Sequence, residues 1–385
     1  MAVYIFENTD AAEAAGFLST DTLVFSNTGV TALNVTVTPP SGLSNGLTLT
    51  ANGQSLAFPA SEITAASRLG GIQFDDRSSL VLGTTGDDAG VTSVAGTTGA
   101  DVIYGLGGND SLTGAAGADY VLGGTGADTV IGGDGNDHLY GNSITTQQGA
   151  TDGADSLDGG NGNDYLQGNA GADTLNGGAA NDRIFGGADA DSVDGGDGID
   201  TINGNVGADT LNGGLSNDIV RGGQGADVVS GDAGDDILYG DRDGDTIVGG
   251  TGFDAVLGGD GADVFRFDAT SSSTANIGAT GANANVTDRI IDYVDGTDQI
   301  DLSGSSFQVL LDTSGSTFGT VLAAQQFAQS LINSNAAAAG VVEVAALNVG
   351  GDAYLFAVQG AGPGIDTAIK VDGVAASNFG ASDFV

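Results

Sequence analysis

Apolar side chains return every ninth position through the middle of the chain. They are Ile103, Leu112, Val121, Val130, Leu139, Leu157, Leu166, Leu175, Ile184, Val193, Ile202, Leu211, Val220, Val229, Leu238, Ile247, Val256 and Phe265, with Gln148 the one exception. An aspartate stands two residues before each of them. The series is Asp101, Asp110, Asp119, Asp128, Asp137, Asp155, Asp164, Asp173, Asp182, Asp191, Asp200, Asp209, Asp218, Asp227, Asp236, Asp245, Asp254 and Asp263. The step from Asp137 to Asp155 is two periods, so the register survives a unit in which Thr146 takes the aspartate position. Glycine lies five residues before the aspartate in nearly every unit (Gly123, Gly132, Gly159, Gly177, Gly222, Gly258). A second glycine two before it is common, with Ala180, Asp189, Ser216 and Asp243 departing from it.

A unit of this kind predicts a glycine turn followed by a strand short enough to hold one inward-facing side chain. One apolar residue in nine cannot form a core alone. Stacked units build a continuous aliphatic column, the logic of a solenoid.

The flanks read differently. Residues 1–90 hold strand-like stretches at Thr22–Ser26, Leu33–Val37 and Leu47–Leu49, bounded by Gly, Pro and Asn, and predict a small β-rich domain. Ile72–Phe74 and Ser79–Leu82 predict two strands leading into the repeats, which occupy residues 91–268. Residues 269–385 mix strands (Phe265–Phe267 at the junction, Ala353–Val358) with one helix near Val321–Asn333, and Ser271–Asn285 reads as a loop. The fold class is all-β.

Charge sharpens this picture. The net charge is −42, and apart from Glu7, Glu13, Glu62 and Glu343 every acid is an aspartate. Short carboxylates beside glycine suit tight loops and hard cations such as calcium. Lys370 and seven arginines are the only bases, so nucleic acid and anionic lipid are excluded as partners. There is no cysteine, no basic-then-apolar leader in Met1–Asp10, and no apolar run long enough for a membrane span, Ala336–Val349 being short and interrupted by Glu343.

The segments at 132–140 (GGDGNDHLY) and 159–167 (GGNGNDYLQ) resemble the RTX (repeats-in-toxin) nonapeptide G-G-x-G-x-D-x-U-x, a calcium-binding motif. The resemblance implies a parallel β-roll with two nonapeptides per turn, in which units 18 residues apart stack on one side. It thus implies one unbroken row, Asp101, Asp119, Asp137, Asp155 and onward. The other row runs Asp110, Asp128, a weak or empty place at Thr146, then Asp164 through Asp254, with 143–151 bulging outward. Calcium is implied between adjacent turns, held by these aspartates and loop carbonyls, roughly 10–15 ions in all. About +30 of cationic charge cancels most of the −42. Without it, carboxylates about 4.8 Å apart repel by roughly 3 kcal/mol per pair, so metal binding and folding form one event. Asp288–Ser303 resembles the D-x-I-x-D-F-x-x-G-x-D-x-I-D-L-S segment that follows such rolls, and Asp383-Phe384-Val385 resembles the end of type I secretion substrates. Together they imply a C-terminal capping and secretion region, with export from a Gram-negative bacterium to the cell surface or medium.

Catalytic chemistry finds little support. One histidine, His138, on an outward strand position, reads as a surface residue. Gly42-Leu-Ser-Asn-Gly46 matches G-x-S-x-G but lies in a Pro/Gly/Ser turn without a base. Periodic carboxylates are a metal ladder rather than glycosidase pairs, and the third repeat position (Thr98, Gly107, Ala116, Thr125, Asp134) lacks the threonine row of an ice-binding face. Tyr104, Tyr120, Tyr140, Tyr165 and Tyr239 fall on outward positions and read as edge-filling residues or a contact face. The expected function is a non-enzymatic, secreted calcium-binding structural protein that associates with itself in a surface layer or matrix. The alternative is a calcium-dependent adhesin in which residues 1–90 recognise a partner such as a cell-surface polysaccharide; a secreted enzyme of unfamiliar type ranks last.

Overall fold

The structure, a computed structural model, describes residues 94–142 and 152–266 continuously. Elsewhere it describes the strands before residue 94 and, in the C-terminal region, 288–294, 297–301, 307–311, 317–318, 324, 327–328, 342–349, 352–358, 367–372, 374–379 and 383–384. The chain divides into two compact units, Met1–Ser192 and Val193–Val385. Each contains a stack of parallel strands built from the nine-residue repeats.

In the first unit one face is formed by Ser79–Leu82, Val102–Tyr104, Tyr120–Gly124, His138–Asn142, Tyr165–Ala170 and Arg183–Ala188, each parallel to the next. The other face stacks Val94–Ala95, Ser111–Ala116, Thr129–Asp134, Ser156–Asn161 and Thr174–Ala179 in the same way. Ahead of it, Val3–Ile5, Thr22–Phe25 and Leu69–Phe74 pair in parallel, and Thr36–Thr38, Leu47–Ala51 and Gln54–Phe58 form an antiparallel meander. The β-rich character expected of this region is present. Parallel pairing was not legible there, because it joins strands far apart in sequence. The G-x-S-x-G turn at 42–46 lies outside the described residues.

The strands are longer than the sequence reading allowed. Most have six residues with two buried positions: in Ser156–Asn161 these are Leu157 and Gly159. The glycine five residues before each aspartate is therefore an inward strand position rather than a turn residue. It packs next to the column of apolar side chains, which are between 0% and 3% exposed from Ile103 to Phe265. Positive φ falls on the two later glycine positions, as at Gly160 (98°) and Gly162 (131°). Where another residue stands there, as at Ala180, Asp189, Ser216 and Asp243, the backbone keeps φ between 71° and 82°.

The interrupted repeat also departs from expectation. Thr129–Asp134 pairs with Ser156–Asn161 and His138–Asn142 with Tyr165–Ala170, so partners there are 27 residues apart instead of 18. Residues 143–151, which include Thr146, lie outside the described residues, and the strands on either side of them pair directly with one another. Gly141 and Asn142 continue directly, in stacking terms, into Asp152, Gly153, Ala154 and Asp155. The two rows consequently exchange: Asp137 is followed by Asp164, and Asp128 by Asp155. The inserted length equals one repeat, which is why the register seemed intact. A rung without its aspartate and with Gln148 pointing inward would interrupt both column and ladder, and direct pairing of the flanking strands keeps both continuous.

The second unit repeats the pattern. Thr201–Val206, Ile219–Gln224, Ile237–Arg242, Ala255–Asp260 and Asp288–Ile290 follow one another on one face. Thr210–Leu215, Val228–Ala233, Thr246–Thr251, Val264–Arg266 and Gln299–Asp301 do so on the other. An antiparallel meander of Val342–Val349, Asp352–Val358 and Thr367–Val371 docks on Asp288–Ile290. The chain's single lysine, Lys370, is buried at this junction, 2.9 Å from Asp352 and also paired with Asp372, which Arg289 reaches as well. The inner column ends in a run of mutually tilted rings, Phe265, Tyr293, Phe379 and Phe384, with centroids 5.3–6.4 Å apart. Of the helix expected near 321–333, the described residues Ala324, Phe327 and Ala328 are helical. The loop expected at 271–285 lies outside the described residues.

Two outcomes test this architecture in calcium. Leu166→Ala, at a fully buried rung, should cost about 2–5 kcal/mol, read as a lower midpoint of denaturant unfolding. Deleting residues 143–151 should leave the melting temperature unchanged or raised, because the flanking residues already stack as one complete repeat; a large fall would mean the insertion is structural.

Candidate calcium ladder

Successive rungs within each unit fix their aspartates in one recurring way. The backbone N–H of one aspartate donates to Oδ1 of the aspartate in the following turn. In the first unit this links Asp101, Asp119, Asp137, Asp164 and Asp182, and separately Asp110, Asp128, Asp155, Asp173 and Asp191, at 2.7–2.8 Å. In the second unit it links Asp200, Asp218, Asp236 and Asp254, and Asp209, Asp227, Asp245 and Asp263, at 2.7–2.9 Å. The aspartate carbonyl accepts from the strand-opening N–H of that following turn, as from Tyr120 to Asp101 at 2.8 Å. All eighteen carboxylates lie at 0–3% exposure.

The second carboxylate oxygen has a different fate. Oδ2 of Asp119, Asp128, Asp137, Asp155, Asp164, Asp173, Asp218, Asp227, Asp236, Asp245 and Asp263 is buried with no hydrogen-bond donor. It faces the inward glycine of its own rung. A Cβ on Gly132 would stand 2.4 Å from Asp137 Oδ2 and 2.6 Å from the Gly159 carbonyl oxygen of the adjoining turn. On Gly222 it would stand 2.3 Å from Asp227 Oδ2 and 2.8 Å from the Gly240 oxygen. Two acceptor oxygens thus converge on the space that glycine leaves empty. Buried acceptors without a donor are costly, and an oxygen-rich set of carboxylates and carbonyls is what a hard divalent cation takes. The residues present fit calcium.

Two further acids belong to this system. Asp298 lies outside the nine-residue register, yet its Oδ1 accepts the Asp263 N–H at 3.2 Å and it is 3% exposed. The available signal was its spacing: Ile300, fully buried, follows two residues later as in every repeat. Asp152 marks the re-entry after the insertion. Elsewhere the N–H of the second glycine donates to a backbone carbonyl of the next turn, as from Gly117 to Asp134 at 2.7 Å. At Gly126 the acceptor is Asp152 Oδ1, at 2.9 Å. A side-chain carboxylate completes the hydrogen bond that the interrupted backbone lacks.

Burial dominates the titration of the ladder. It pushes Asp155 and Asp236 up to about 8, Asp119, Asp218 and Asp245 to about 7, and Asp128, Asp164, Asp173, Asp227 and Asp254 to about 6. The donated backbone N–H opposes the shift in each, and neighbouring carboxylates add to it at several rungs. His138 is exposed on its strand, as expected. Tyr239 lies under Arg221, 4.7 Å from its guanidinium, which also pairs with Asp241 at 2.8 Å.

A stacked, glycine-lined ladder of buried carboxylates defines a cation-binding parallel β-roll. The family model described as RTX calcium-binding nonapeptide repeat matches in overlapping segments that together span residues 82–143 and 150–269. The chain carries RTX calcium-binding nonapeptide repeats over the residues that form the roll. No curated protein matches it. Among solved structures, the AlgE6R3 subunit of the Azotobacter vinelandii mannuronan C5-epimerase is similar, at 26% identity over 46% of this chain and 76% of that one, with a TM-score of 0.22.

The direction of the shifts sets a pH test. These carboxyls bind protons more tightly folded than unfolded, so the metal-free fold loses stability as pH rises from about 4 through the folded values of about 6 to 8. Circular dichroism with chelator should show more β structure at pH 5.5 than at pH 8, and the calcium needed for folding should fall as pH rises. An apo fold that strengthens between those values contradicts the burial described.

Proposed function

We propose that the eighteen ladder aspartates, with Asp298, hold calcium between successive turns, and that calcium is the condition for folding. The observation that carries this reading is the row of buried Oδ2 atoms facing carbonyl oxygens with no donor between them. A chain of net charge −42 stays unfolded where calcium is scarce and winds up where it is plentiful. That suits export in an unfolded state by type I secretion machinery and folding outside the cell. No helix among the described residues is long and apolar enough to cross a membrane.

On this reading the roll is the product rather than an appendage to an enzyme. Residues 91–268 form a calcium-stiffened spacer, residues 1–90 attach it to the cell or to neighbours, and residues 269–385 cap it and carry the export signal. Copies assemble into a surface layer or extracellular matrix. Calcium supports assembly by removing most of the charge that keeps copies apart. Ile219 and Ile237, adjacent in register and 39% and 38% exposed on one face of the second unit, offer apolar contact area.

Circular dichroism and light scattering during a calcium titration test both parts. The β signal should appear cooperatively with calcium and vanish with chelator, and scattering should then rise with protein concentration. Equal compactness with and without metal overturns the folding claim. A protein that stays monomeric at high calcium and high concentration overturns the assembly claim alone.

A further inference from the structure

Outward strand positions touch neither the aliphatic column nor the aspartate ladder, so their side chains are not dictated by folding. In the first unit the two faces use them in opposite ways. On one face the first strand position stacks Ser111, Thr129, Ser156 and Thr174 in register. On the other face the same position stacks Tyr120, His138, Tyr165 and Arg183. Two residues along, that face adds Tyr140, Gln167 and Phe185.

These rings form one continuous surface. Tyr120 and Tyr140 have centroids 5.2 Å apart, Tyr140 and Tyr165 5.7 Å, and Tyr165 and Phe185 5.6 Å. His138 stacks between Tyr120 and Tyr165 at 6.1 and 5.5 Å, with interplanar angles of 27° and 22°. Arg183 lies over Phe185, 5.2 Å from its centroid. The polar edge is pre-set: the Tyr165 hydroxyl donates to Gln167 Oε1 at 3.1 Å, and Gln167 Nε2 donates to Asn169 Oδ1 at 2.8 Å. The chain has 8 tyrosines and one histidine, so gathering three tyrosines and that histidine here is a concentration, not a background.

We propose that this ladder of Tyr120, His138, Tyr140, Tyr165 and Phe185 is a binding platform for a linear, uncharged β-linked polysaccharide lying along the roll axis. Half-buried rings with fixed polar rims suit a ligand that is apolar on its ring faces and hydroxylated at its edges, which is the chemistry of a pyranose. The rungs advance by the sheet spacing of about 4.8 Å, close to the advance of one residue in an extended β-1,4-linked hexose chain, so successive sugars each meet one aromatic ring, of Tyr120, Tyr140, Tyr165 or Phe185. Charge decides between sugar classes. The platform presents hydroxyl and amide edges (Tyr165, Gln167, Asn169), with Arg183 set over Phe185 as its charged member, so a neutral sugar chain matches it, whereas a polyanion calls for a row of bases. The inference stands on the fold of the first unit and does not depend on assembly.

The test uses the full chain, loaded with calcium, and microcrystalline cellulose as the uncharged β-1,4-glucan, with polygalacturonate as the charged comparison. The wild type should be retained on cellulose and not bind polygalacturonate. Tyr140→Ala with Tyr165→Ala should weaken retention at least tenfold, while Thr129→Ala with Thr174→Ala on the opposite face leaves it unchanged. With no tryptophan in the chain, soluble cellohexaose should also shift the tyrosine fluorescence of the wild type, a readout independent of any variant's folding. No retention of the wild type, equal retention of the tyrosine variant with unchanged circular dichroism, or a silent fluorescence titration overturns the proposal. So does a calcium-loaded dimer that the tyrosine variant converts to monomer, which would assign the platform to a second copy.

Discussion

A carboxylate oxygen buried against a carbonyl oxygen repels it unless a proton or a cation lies between them. That condition is set at rung after rung, and the composition of the repeat follows from it. Aspartate is required because its short side chain lets Oδ1 take the backbone N–H of the neighbouring turn while Oδ2 stays beside its own glycine. Glutamate would carry both oxygens past these partners, which agrees with its near absence from the chain. Glycine is required because any Cβ would occupy the space between the two oxygens. The same geometry explains why burial raises the carboxyl pKa values and why a divalent ion relieves both the repulsion and the unsatisfied acceptors.

Repetition turns a local requirement into a global one. Each turn touches its neighbours through an aliphatic column, a strand ladder and the aspartate chain, and no turn has a core of its own. A rung whose carboxylate is displaced therefore loosens its neighbour, since the Oδ1 of one turn holds the backbone of the turn before it. The insertion at 143–151 shows which continuity matters. The stack stays continuous on either side of it, because Asp152 accepts the Gly126 N–H and Asp155 takes the place after Asp128.

The nine-residue register, the buried aspartates and the apolar column were legible because period and burial coincide: each arises from the same inward-facing positions. Three features were not. The glycines looked alike as letters, but one class sits inward with ordinary φ and two classes adopt positive φ, a distinction that only the path of the backbone reveals. The exchange of rows after Asp137 was hidden because an insertion of one full period leaves the count modulo nine untouched. Asp298 was missed because a search by period ends where the period ends, although the aspartate-to-apolar spacing persists in Asp298–Ile300.

Folding constrains only half of each strand in such a roll. Inward positions are fixed by the column and turn positions by the buried aspartates and positive φ, so selection for any further task must act on the outward ones. Their contents differ between the units: tyrosines, histidine and Arg183 on one face of the first, Ile219, Ile237 and the Arg221–Tyr239 pair on one face of the second. If these positions served solubility alone, they would be filled with small polar residues throughout, as Ser111, Thr129, Ser156 and Thr174 are on the opposite face of the first unit. Large half-buried rings at an otherwise unconstrained position cost side-chain entropy to order and expose apolar area. Their concentration on one face therefore marks a surface shaped by something other than the fold, and the parallel register of the strands supplies the spacing at which it can be read.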